Sequence, residues 1–347
     1  MIPVFDGHND TLLMHLEQPD RDFFARQSDG HIDYPRAQEG GFAGGFFAMF
    51  PPTLPGTSPF QARRVTADGR TVTPPAPPVD ELHAVRAENR MFSILYRLTA
   101  GGRMRLVTTA EELQRSIEEG VLAAIAHFEG AEAIDPELAA LDIYYRAGLR
   151  SLGIVWSRAN AFGHGVPFAF PGSPDSGPGL TALGRRLVER CNELGIMIDL
   201  SHITARGFWE VAELSQAPLV ATHSNAHAVC PSPRNLTDEQ LDAIRWSDGM
   251  VGLNFAVGFL DPDGGDDADL DLDVMVRHID HLVDKLGITR VGLGSDFDGA
   301  RIPAAIGDVS GVQRLLEALA AHGYDEDALH KIAHQNWVRV LRHTWKG

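Results

Sequence analysis

The sequence has few cysteines, no long apolar run and no excess of basic residues. Its 347 residues include only Cys191 and Cys230, which is too few for a disulfide framework and is typical of a reducing compartment. No apolar stretch approaches the roughly 20 residues that a membrane-spanning helix requires. The N-terminus also lacks the basic region and the long apolar segment of a signal peptide. These absences predict a soluble, cytoplasmic protein that does not associate with membranes.

Acidic residues outnumber basic ones, and the formal net charge is −17 at pH 7. This charge opposes binding to nucleic acids and to anionic membrane surfaces, because both are themselves negatively charged. Hydrophobic residues make up 44% of the chain, an ordinary share for a globular protein with a large core. The composition therefore excludes nucleic-acid partners but does not identify a substrate.

Short apolar runs alternate with longer amphipathic stretches, which predicts repeated βα units around a parallel sheet. The predicted strands cover residues 4–6, 45–49, 122–128, 151–155, 196–200, 219–222, 251–254 and 291–294. Eight parallel strands, each followed by a helix, form the (β/α)₈ or TIM barrel, an α/β fold that accommodates a chain of this length in one domain. A doubly wound open sheet is the alternative, although no Gly-x-Gly-x-x-Gly motif follows the first strand.

Two irregular segments, residues 51–78 and 162–179, interrupt this pattern. The first is rich in proline, so it is incompatible with a regular helix or a central strand, and the second is a similar loop. The first follows strand two and the second follows strand four, so they would emerge on the catalytic face, where long loops commonly form lids. A surface insertion without a role is the alternative for the first segment. We find no internal repeat and expect one domain over residues 1–347.

Side chains that can bind metal ions follow five of the predicted strands. They are His8 and Asp10 after strand one, Glu129 after strand three, His202 after strand five, His223 after strand six and Asp296 after strand eight. The carboxyl ends of barrel strands meet on one face, so these side chains are expected to converge there. Imidazole and carboxylate groups both suit zinc. Taken singly, each acid could instead cap a helix or turn, and each histidine could belong to the core or a loop.

Three imidazoles and two carboxylates suffice for two divalent ions if one carboxylate bridges them, and a third carboxylate then remains as a base. A two-metal centre polarises a carbonyl group and supplies hydroxide at neutral pH, which is what cleavage of an amide requires. The six residues together therefore predict a binuclear metal hydrolase.

At these positions the sequence resembles the membrane (renal) dipeptidase family, peptidase family M19, of the metal-dependent amidohydrolase superfamily. The resemblance rests on DGHND at residues 6–10, Glu129, IDLSH at 198–202, HSN at 223–225, RN at 234–235 and DFDG at 296–299. It extends in order over nearly the whole chain. It implies that His8 and Asp10 hold one zinc ion, that His202 and His223 hold a second, and that Glu129 bridges the two.

The same resemblance implies the reaction and the remaining roles. Asp296 would accept a proton from the bridging water and pass it to the leaving amine. Arg234 would bind the free carboxylate of a dipeptide, a role suited to a planar bidentate donor; without the resemblance it reads as a surface arginine after a Pro-Ser-Pro turn. The implied activity is zinc-dependent dipeptide hydrolysis by a metal-bridging hydroxide, with tolerance of a C-terminal D-residue. Homodimers are also common in the family.

One position departs from the family pattern. Alignment through residues 148–152 places Trp156 where members like the renal enzyme have a histidine that contacts the substrate. Tryptophan donates a hydrogen bond through its indole but carries no charge. Asn160 or His164 could supply the missing polar contact, or could equally be ordinary loop residues. Two other hypotheses therefore stay open: a metal amidohydrolase of N-acyl amino acids, cyclic amides or lactams, and a binding protein whose metals serve only structure.

Overall fold

The computed structural model describes residues 1–346. Its strands are β1 (Val4–Asn9), β2 (Phe42–Met49), β3 (Arg64–Val65), β4 (Thr71–Thr73), β5 (Met104–Leu106), β6 (Leu122–Glu129), β7 (Leu149–Gly153), β8 (Phe168–Phe170), β9 (Met197–Asp199), β10 (Val220–Ala221), β11 (Met250–Leu253) and β12 (Val291–Leu293).

The helices lie between these strands and after the last one. They are α1 (Thr11–Glu17), α2 (Tyr34–Glu39), α3 (Glu81–Thr99), α4 (Ala110–Glu119), α5 (Ala139–Arg146), α6 (Ala182–Leu194), α7 (Ala205–Leu214), α8 (Asp238–Trp246), α9 (Val257–Leu260), α10 (Leu272–Leu286), α11 (Val312–His322), α12 (Glu326–His330) and α13 (Asn336–Thr344). Within residues 1–346, none of the helices is both long and apolar enough to cross a membrane.

Eight strands pair in parallel and close into a barrel, in the order β1, β2, β6, β7, β9, β10, β11 and β12. The pairing of β2 with β6 and of β12 with β1 completes the ring. Each of the eight strands expected from the sequence overlaps one of these, so the predicted (β/α)₈ barrel is confirmed. The sequence did not predict β5, which pairs with the first residues of β6, while β7 pairs with the last ones.

The C-terminal helix α13 closes the amino-terminal end of the barrel. Trp337 is fully buried, lies 5.1 Å from Phe46 between ring centroids and donates a hydrogen bond from Nε1 to the carbonyl of Leu293 at 3.1 Å. A Cβ atom at Gly7 would lie 2.5 Å from the Trp337 ring, so the first strand needs glycine there. With one end filled in this way, the opposite end of the barrel is the one available for a site.

The two irregular segments are joined to each other. Strands β3 and β4 from residues 51–78 and β8 from residues 162–179 form a three-stranded antiparallel sheet. Neither segment was expected to contain strands. The proline-rich segment supplies no central barrel strand, as predicted, but it is held in place by β8 and is not an isolated insertion.

Candidate active site

A cavity of about 440 Å³ opens at the carboxyl ends of the barrel strands. This volume falls in the range of roughly 300–1,000 Å³ that small-molecule sites occupy. Asp10, Glu129, His202 and Asp296 line it. Residues 51–78 and 162–179 both contribute to its walls, so the two irregular segments lie on the catalytic face, where the sequence placed them.

The structure brings the five predicted metal ligands together around one carboxylate oxygen. Oε1 of Glu129 lies 3.1 Å from Nε2 of His202, 3.7 Å from Nε2 of His223 and 3.8 Å from Nε2 of His8. Oδ2 of Asp10 lies 3.5 Å from the same His8 nitrogen. The side chains form two groups that share Glu129, and within each the potential ligand atoms lie within 4.8 Å of one another.

Local backbone structure explains how these side chains converge. His8 lies in β1, and Asp10 follows that strand directly as the N-cap residue of α1. Glu129 is the last residue of β6. His202 follows β9 with φ of 67°, a left-handed conformation that is uncommon outside glycine and turns the side chain back over the barrel mouth. All are positioned by strand ends, which hold a site more rigidly than free loops do.

Hydrogen bonds at the outer ring nitrogens direct two of the imidazoles inward. Nδ1 of His202 lies 2.9 Å from the Ser157 hydroxyl, and Nδ1 of His223 lies 2.8 Å from the Thr222 hydroxyl. Their Nε2 atoms are 3.1 Å apart. Among the described residues, neither nitrogen of the buried His8 has a hydrogen-bond partner. A buried imidazole nitrogen that has no hydrogen-bond partner and lies near carboxylates is a suitable ligand for a metal cation.

The electrostatics of the ligand cluster also favour binding of a positively charged ion. Burial raises the pKa of Glu129 well above its ordinary value and lowers the pKa values of His202 and His223 well below theirs. Burial alone would lower the pKa of His8, but the carboxylates of Glu129 and Asp10 outweigh it and raise this pKa to about 10. His202 and His223 are therefore neutral, the form in which an imidazole binds a divalent metal, whereas the carboxylates of Glu129 and Asp10 favour a cation beside His8, a place that a metal ion can take from the proton. The residues present therefore fit a metal centre.

Asp296 lies beside this cluster in a strained turn. Its φ is 60° and its backbone N–H donates to the carbonyl of His8 at 3.0 Å. Its carboxylate accepts a hydrogen bond from Nδ2 of Asn254 at 2.9 Å, and burial raises its pKa. A Cβ atom at Gly299 would lie 2.1 Å from Oδ2 of Asp10 and 2.7 Å from Oδ1 of Asp296, so glycine is required where the chain passes both carboxylates.

Arg234 is buried behind the cavity surface, and the alternative of a surface arginine is wrong. Its side chain is 3% exposed, and Nη2 donates to the carbonyl of His223 at 3.0 Å. Its guanidinium lies 5.2 Å from the ring centroid of Phe259. Within residues 1–346, its Nε has no hydrogen-bond partner. The cation thus stays close to the carboxylate cluster and keeps one free donor.

Trp156 lines the cavity, whereas the structure does not bring Asn160 or His164 to it. The Asn160 side chain donates to the carbonyl of Ile154 at 2.8 Å and accepts from the backbone N–H of Phe162 at 2.8 Å. Nδ1 of His164 lies 3.0 Å from the carbonyl of Gly179. These hydrogen bonds lie within their own loop, so the contacts favour the alternative that Asn160 and His164 are ordinary loop residues.

Sequence reasoning gave no role to Asp199, which organises the histidine side of the site. Its buried carboxylate accepts hydrogen bonds from the backbone N–H and hydroxyl groups of Ser201, at 3.0 and 2.8 Å, and of Thr222, at 2.8 and 2.6 Å. It also forms a third possible ligand group with His8 and His223. An acid inside an apolar strand is the sequence signal that marks it, because a buried carboxylate needs several donors.

Comparison with known proteins agrees with this geometry. The family model described as membrane dipeptidase (peptidase family M19) matches residues 1–346. The chain is 50% identical to a metallopeptidase from Rhodobacter sphaeroides liganded with a phosphinate mimic of the dipeptide L-Ala-D-Ala, with a TM-score of 0.95 and 99% of each chain covered. Its sequence is also 50% identical to that of dipeptidase AC, an M19 metallopeptidase, and the crystal structure of that protein superposes with a TM-score of 0.94 over 100% of this chain and 99% of that one.

A relative from Klebsiella pneumoniae, the uncharacterized protein in the pqqA 5′ region, is 49% identical over 274 residues, which is 78% of this chain and 99% of the relative. The family model covers far more than half of the sequence. This chain therefore belongs to the membrane dipeptidase family of metal-dependent peptidases, as its motifs predict.

Proposed function

We propose that this protein hydrolyses dipeptides with two zinc ions, of which His8 and Asp10 hold one and His202 and His223 hold the other. The observation that carries the proposal is the position of Glu129, whose Oε1 lies within 3.8 Å of an Nε2 atom of each of the three imidazoles, so that this carboxylate would contribute to holding both ions. Each ion would have three protein ligands, namely the shared carboxylate with either one imidazole and one carboxylate or two imidazoles. Three protein ligands leave a coordination position open, which is characteristic of catalytic rather than structural zinc.

When bound, the ions would polarise the scissile carbonyl and lower the pKa of water toward 7. Asp296 would then hold the proton released by the attacking water and deliver it to the departing amine. Its raised pKa, caused by burial, suits a group that must both accept and return a proton. Arg234 would attract the free carboxylate of the substrate, so that chain length is recognised by charge.

We further propose that the C-terminal residue of the substrate can have the D-configuration. A relative that shares 50% identity with this chain binds a mimic of L-Ala-D-Ala. The C-terminal residue of a dipeptide is held by its free carboxylate and by the scissile amide, and no further peptide backbone follows it. The cavity walls therefore determine in which direction its side chain can point.

The direct test is metal-dependent hydrolysis. The protein is stripped with a chelator, reloaded with zinc and assayed with L,L- and L,D-dipeptides, N-acyl amino acids, cyclic amides and lactams, and bound metal is counted by elemental analysis. We expect two zinc ions per chain and release of amino acids from dipeptides only in the loaded form. Turnover of the other amides but of no dipeptide would favour the broader amidohydrolase hypothesis, and a fully loaded but inert protein would favour a binding role.

Two further expectations belong to this proposal. Cys191 and Cys230 are both buried and unpaired, which fits a cytoplasmic protein because a reducing compartment keeps thiols free. Homodimers are common in the family, and we propose that this chain can form one as well. Cell fractionation and light scattering on the purified protein would test these two points.

A further inference from the structure

Four aromatic side chains form one wall of the cavity, and we call them the aromatic wall: Phe50, Trp156, Phe168 and Phe259. Their rings are in mutual contact, with centroids 5.0 Å apart for Phe50 and Trp156, 5.6 Å for Trp156 and Phe168, and 6.0 Å for Phe168 and Phe259. All four are only half-buried in the protein. Their remaining exposed surface faces the cavity.

The aromatic wall begins at the metal cluster itself. The ring centroids of Trp156 and Phe168 lie 5.9 and 6.3 Å from that of His202. An amide that is held at the ligand cluster therefore has the side chain of one flanking residue within reach of these rings. No charged side chain belongs to the wall, and Phe60 extends it toward the mouth by stacking on Phe168 at 5.4 Å.

The wall is supported from behind by a buried ion pair. Arg158 is fully buried; its Nε donates to Glu132 at 2.6 Å and its Nη2 donates to the carbonyl of Pro51 at 2.8 Å. The guanidinium lies 4.8 Å from the Phe50 centroid and 5.6 Å from that of Trp156. These contacts fix both rings in the absence of a ligand, so little conformational entropy is lost when a side chain packs against them.

The charged groups at the mouth of the cavity do not offer an alternative subsite for an acidic side chain. Arg63 and Arg301 both face Asp266, at 3.7 and 3.9 Å, and each of these three residues lines the outer cavity. Their charges are already partly compensated. The wall closer to the cluster is apolar. The cation beside Phe259, Arg234, is buried behind the cavity surface and would be taken by the free carboxylate of the substrate, so a second acid there would lose the hydration of its charge without a partner of its own.

We propose that the preferred substrates are dipeptides in which one residue carries a large apolar side chain, above all an aromatic one, that packs on the aromatic wall. This inference rests on the proposed dipeptidase function and specifies its substrate class. An aromatic side chain buries a large apolar surface and stacks edge-to-face or offset on other rings. Alanine in the same position would leave the wall without contact.

The experiment compares kcat/KM of the zinc-loaded enzyme for Ala-Ala, Ala-Phe, Phe-Ala, Ala-Glu and Glu-Ala, each with an L- or D-residue at the C-terminus. We expect at least one phenylalanine dipeptide to exceed both Ala-Ala and the glutamate peptides about tenfold or more, a size of discrimination that apolar pockets achieve. The position that shows the preference identifies which residue faces the wall.

Variants of the wall connect this preference to the structure. Phe168→Ala should reduce the ratio of phenylalanine to alanine substrates to about threefold or less, and Phe168→Leu should reduce it partially while retaining an apolar surface. Trp246→Ala is the matched control, because this tryptophan is 80% exposed at the end of α8 and does not line the cavity. Its substrate ratio should equal that of the unaltered protein, and thermal melting would verify that all three variants are folded.

The outcomes separate this inference from the function on which it rests. Hydrolysis of Ala-Ala that equals or exceeds that of every phenylalanine peptide would overturn the aromatic-wall proposal and leave the dipeptidase proposal intact. A preference for phenylalanine that survives unchanged in folded Phe168→Ala and Phe168→Leu would also overturn it. Absence of turnover for all dipeptides, whatever the metal loading, would remove the dipeptidase proposal itself.

Discussion

The Thr222 hydroxyl oxygen lies 2.8 Å from Nδ1 of His223. The same hydroxyl donates to Oδ2 of Asp199 at 2.6 Å. A hydroxyl group has one proton, so in its bond with His223 the threonine oxygen must accept and Nδ1 must donate. The neutral ring then has its lone pair on Nε2, which points toward Glu129. Asp199 thus selects, through Thr222, the tautomer that a metal ligand needs.

Replacing Thr222 tests this relay, by which we mean the two hydrogen bonds that connect Asp199 to His223 through the threonine hydroxyl. Thr222→Val removes the hydroxyl at nearly constant volume, so His223 loses the acceptor that holds its tautomer and orientation. We expect zinc affinity to fall about 10- to 100-fold, as it does when comparable supporting partners are lost. Competition titration with a zinc-binding dye measures the effect. Thr222→Ser keeps the hydroxyl and should retain near-normal affinity; equal affinities of the Val and Ser variants would contradict the relay.

Asp296 is expected to affect turnover and not metal binding. Asp296→Asn preserves the shape of the side chain and an oxygen that can accept from Asn254, but it can no longer hold a proton. We expect two bound zinc ions by elemental analysis and a kcat lowered by about 10² to 10⁴, the usual contribution of a general acid–base residue. Asp298→Asn is the control, since its carboxylate accepts from the backbone N–H of His31 and should be dispensable for turnover. Full activity of Asp296→Asn would refute the assigned role.

The sequence predicts the barrel and the ligand cluster for the same physical reason. Apolar strand cores such as residues 122–128 are readable because strands buried on both faces are nearly continuous hydrophobic runs. A polar residue directly after such a run, such as Glu129, His202 or His223, lies where the strand leaves the core. Barrel closure then brings these ends together although they are far apart in the chain.

Other features depend on tertiary contacts that no local pattern records. Strands β3 and β8 contain only two and three residues, which is too short for a hydrophobic periodicity to be recognised. They are joined through β4, although about 100 positions of sequence separate them. Arg234 looks like a surface residue after a turn because its burial is created by neighbouring elements. Asn160 attracts attention as a polar residue near the site, yet its amide is used to fold its own loop.

The buried pair of Arg158 and Glu132 should contribute strongly to stability. Glu132→Gln leaves the fully buried guanidinium without its carboxylate partner at 2.6 Å. Removal of one member of such a pair typically destabilises a protein by about 3–5 kcal/mol, and urea unfolding of the zinc-loaded protein would measure it. Asp142→Asn is the control, because it removes one of the two carboxylates that pair with Arg190 at the surface, and it should cost about 1 kcal/mol or less. Equal losses in the two variants would contradict the structural role given to Arg158.

His278 should make stability depend on pH below neutrality. It is buried in α10, where Nδ1 accepts from the backbone N–H of Ala226 at 3.2 Å and Nε2 donates to the carbonyl of Leu260 at 2.9 Å. The bond from Ala226 requires the neutral ring, because a protonated Nδ1 has no lone pair with which to accept it. Burial lowers the pKa of His278 from 6.5 to about 4, so the unfolded chain binds the proton first as the pH falls.

The contribution of His278 to the free energy of unfolding is therefore complete above pH 6.5 and is lost as the pH falls toward 4. The loss should reach about 3 kcal/mol, since one pKa unit corresponds to roughly 1.4 kcal/mol. Urea unfolding of the metal-free protein between pH 7.5 and 4.5 isolates this effect from metal release. His278→Gln should be less stable than the unaltered protein at pH 7.5, but its free energy of unfolding should fall less on acidification, because glutamine does not titrate. Parallel pH profiles of stability for the two proteins would show that the surroundings do not keep the ring neutral.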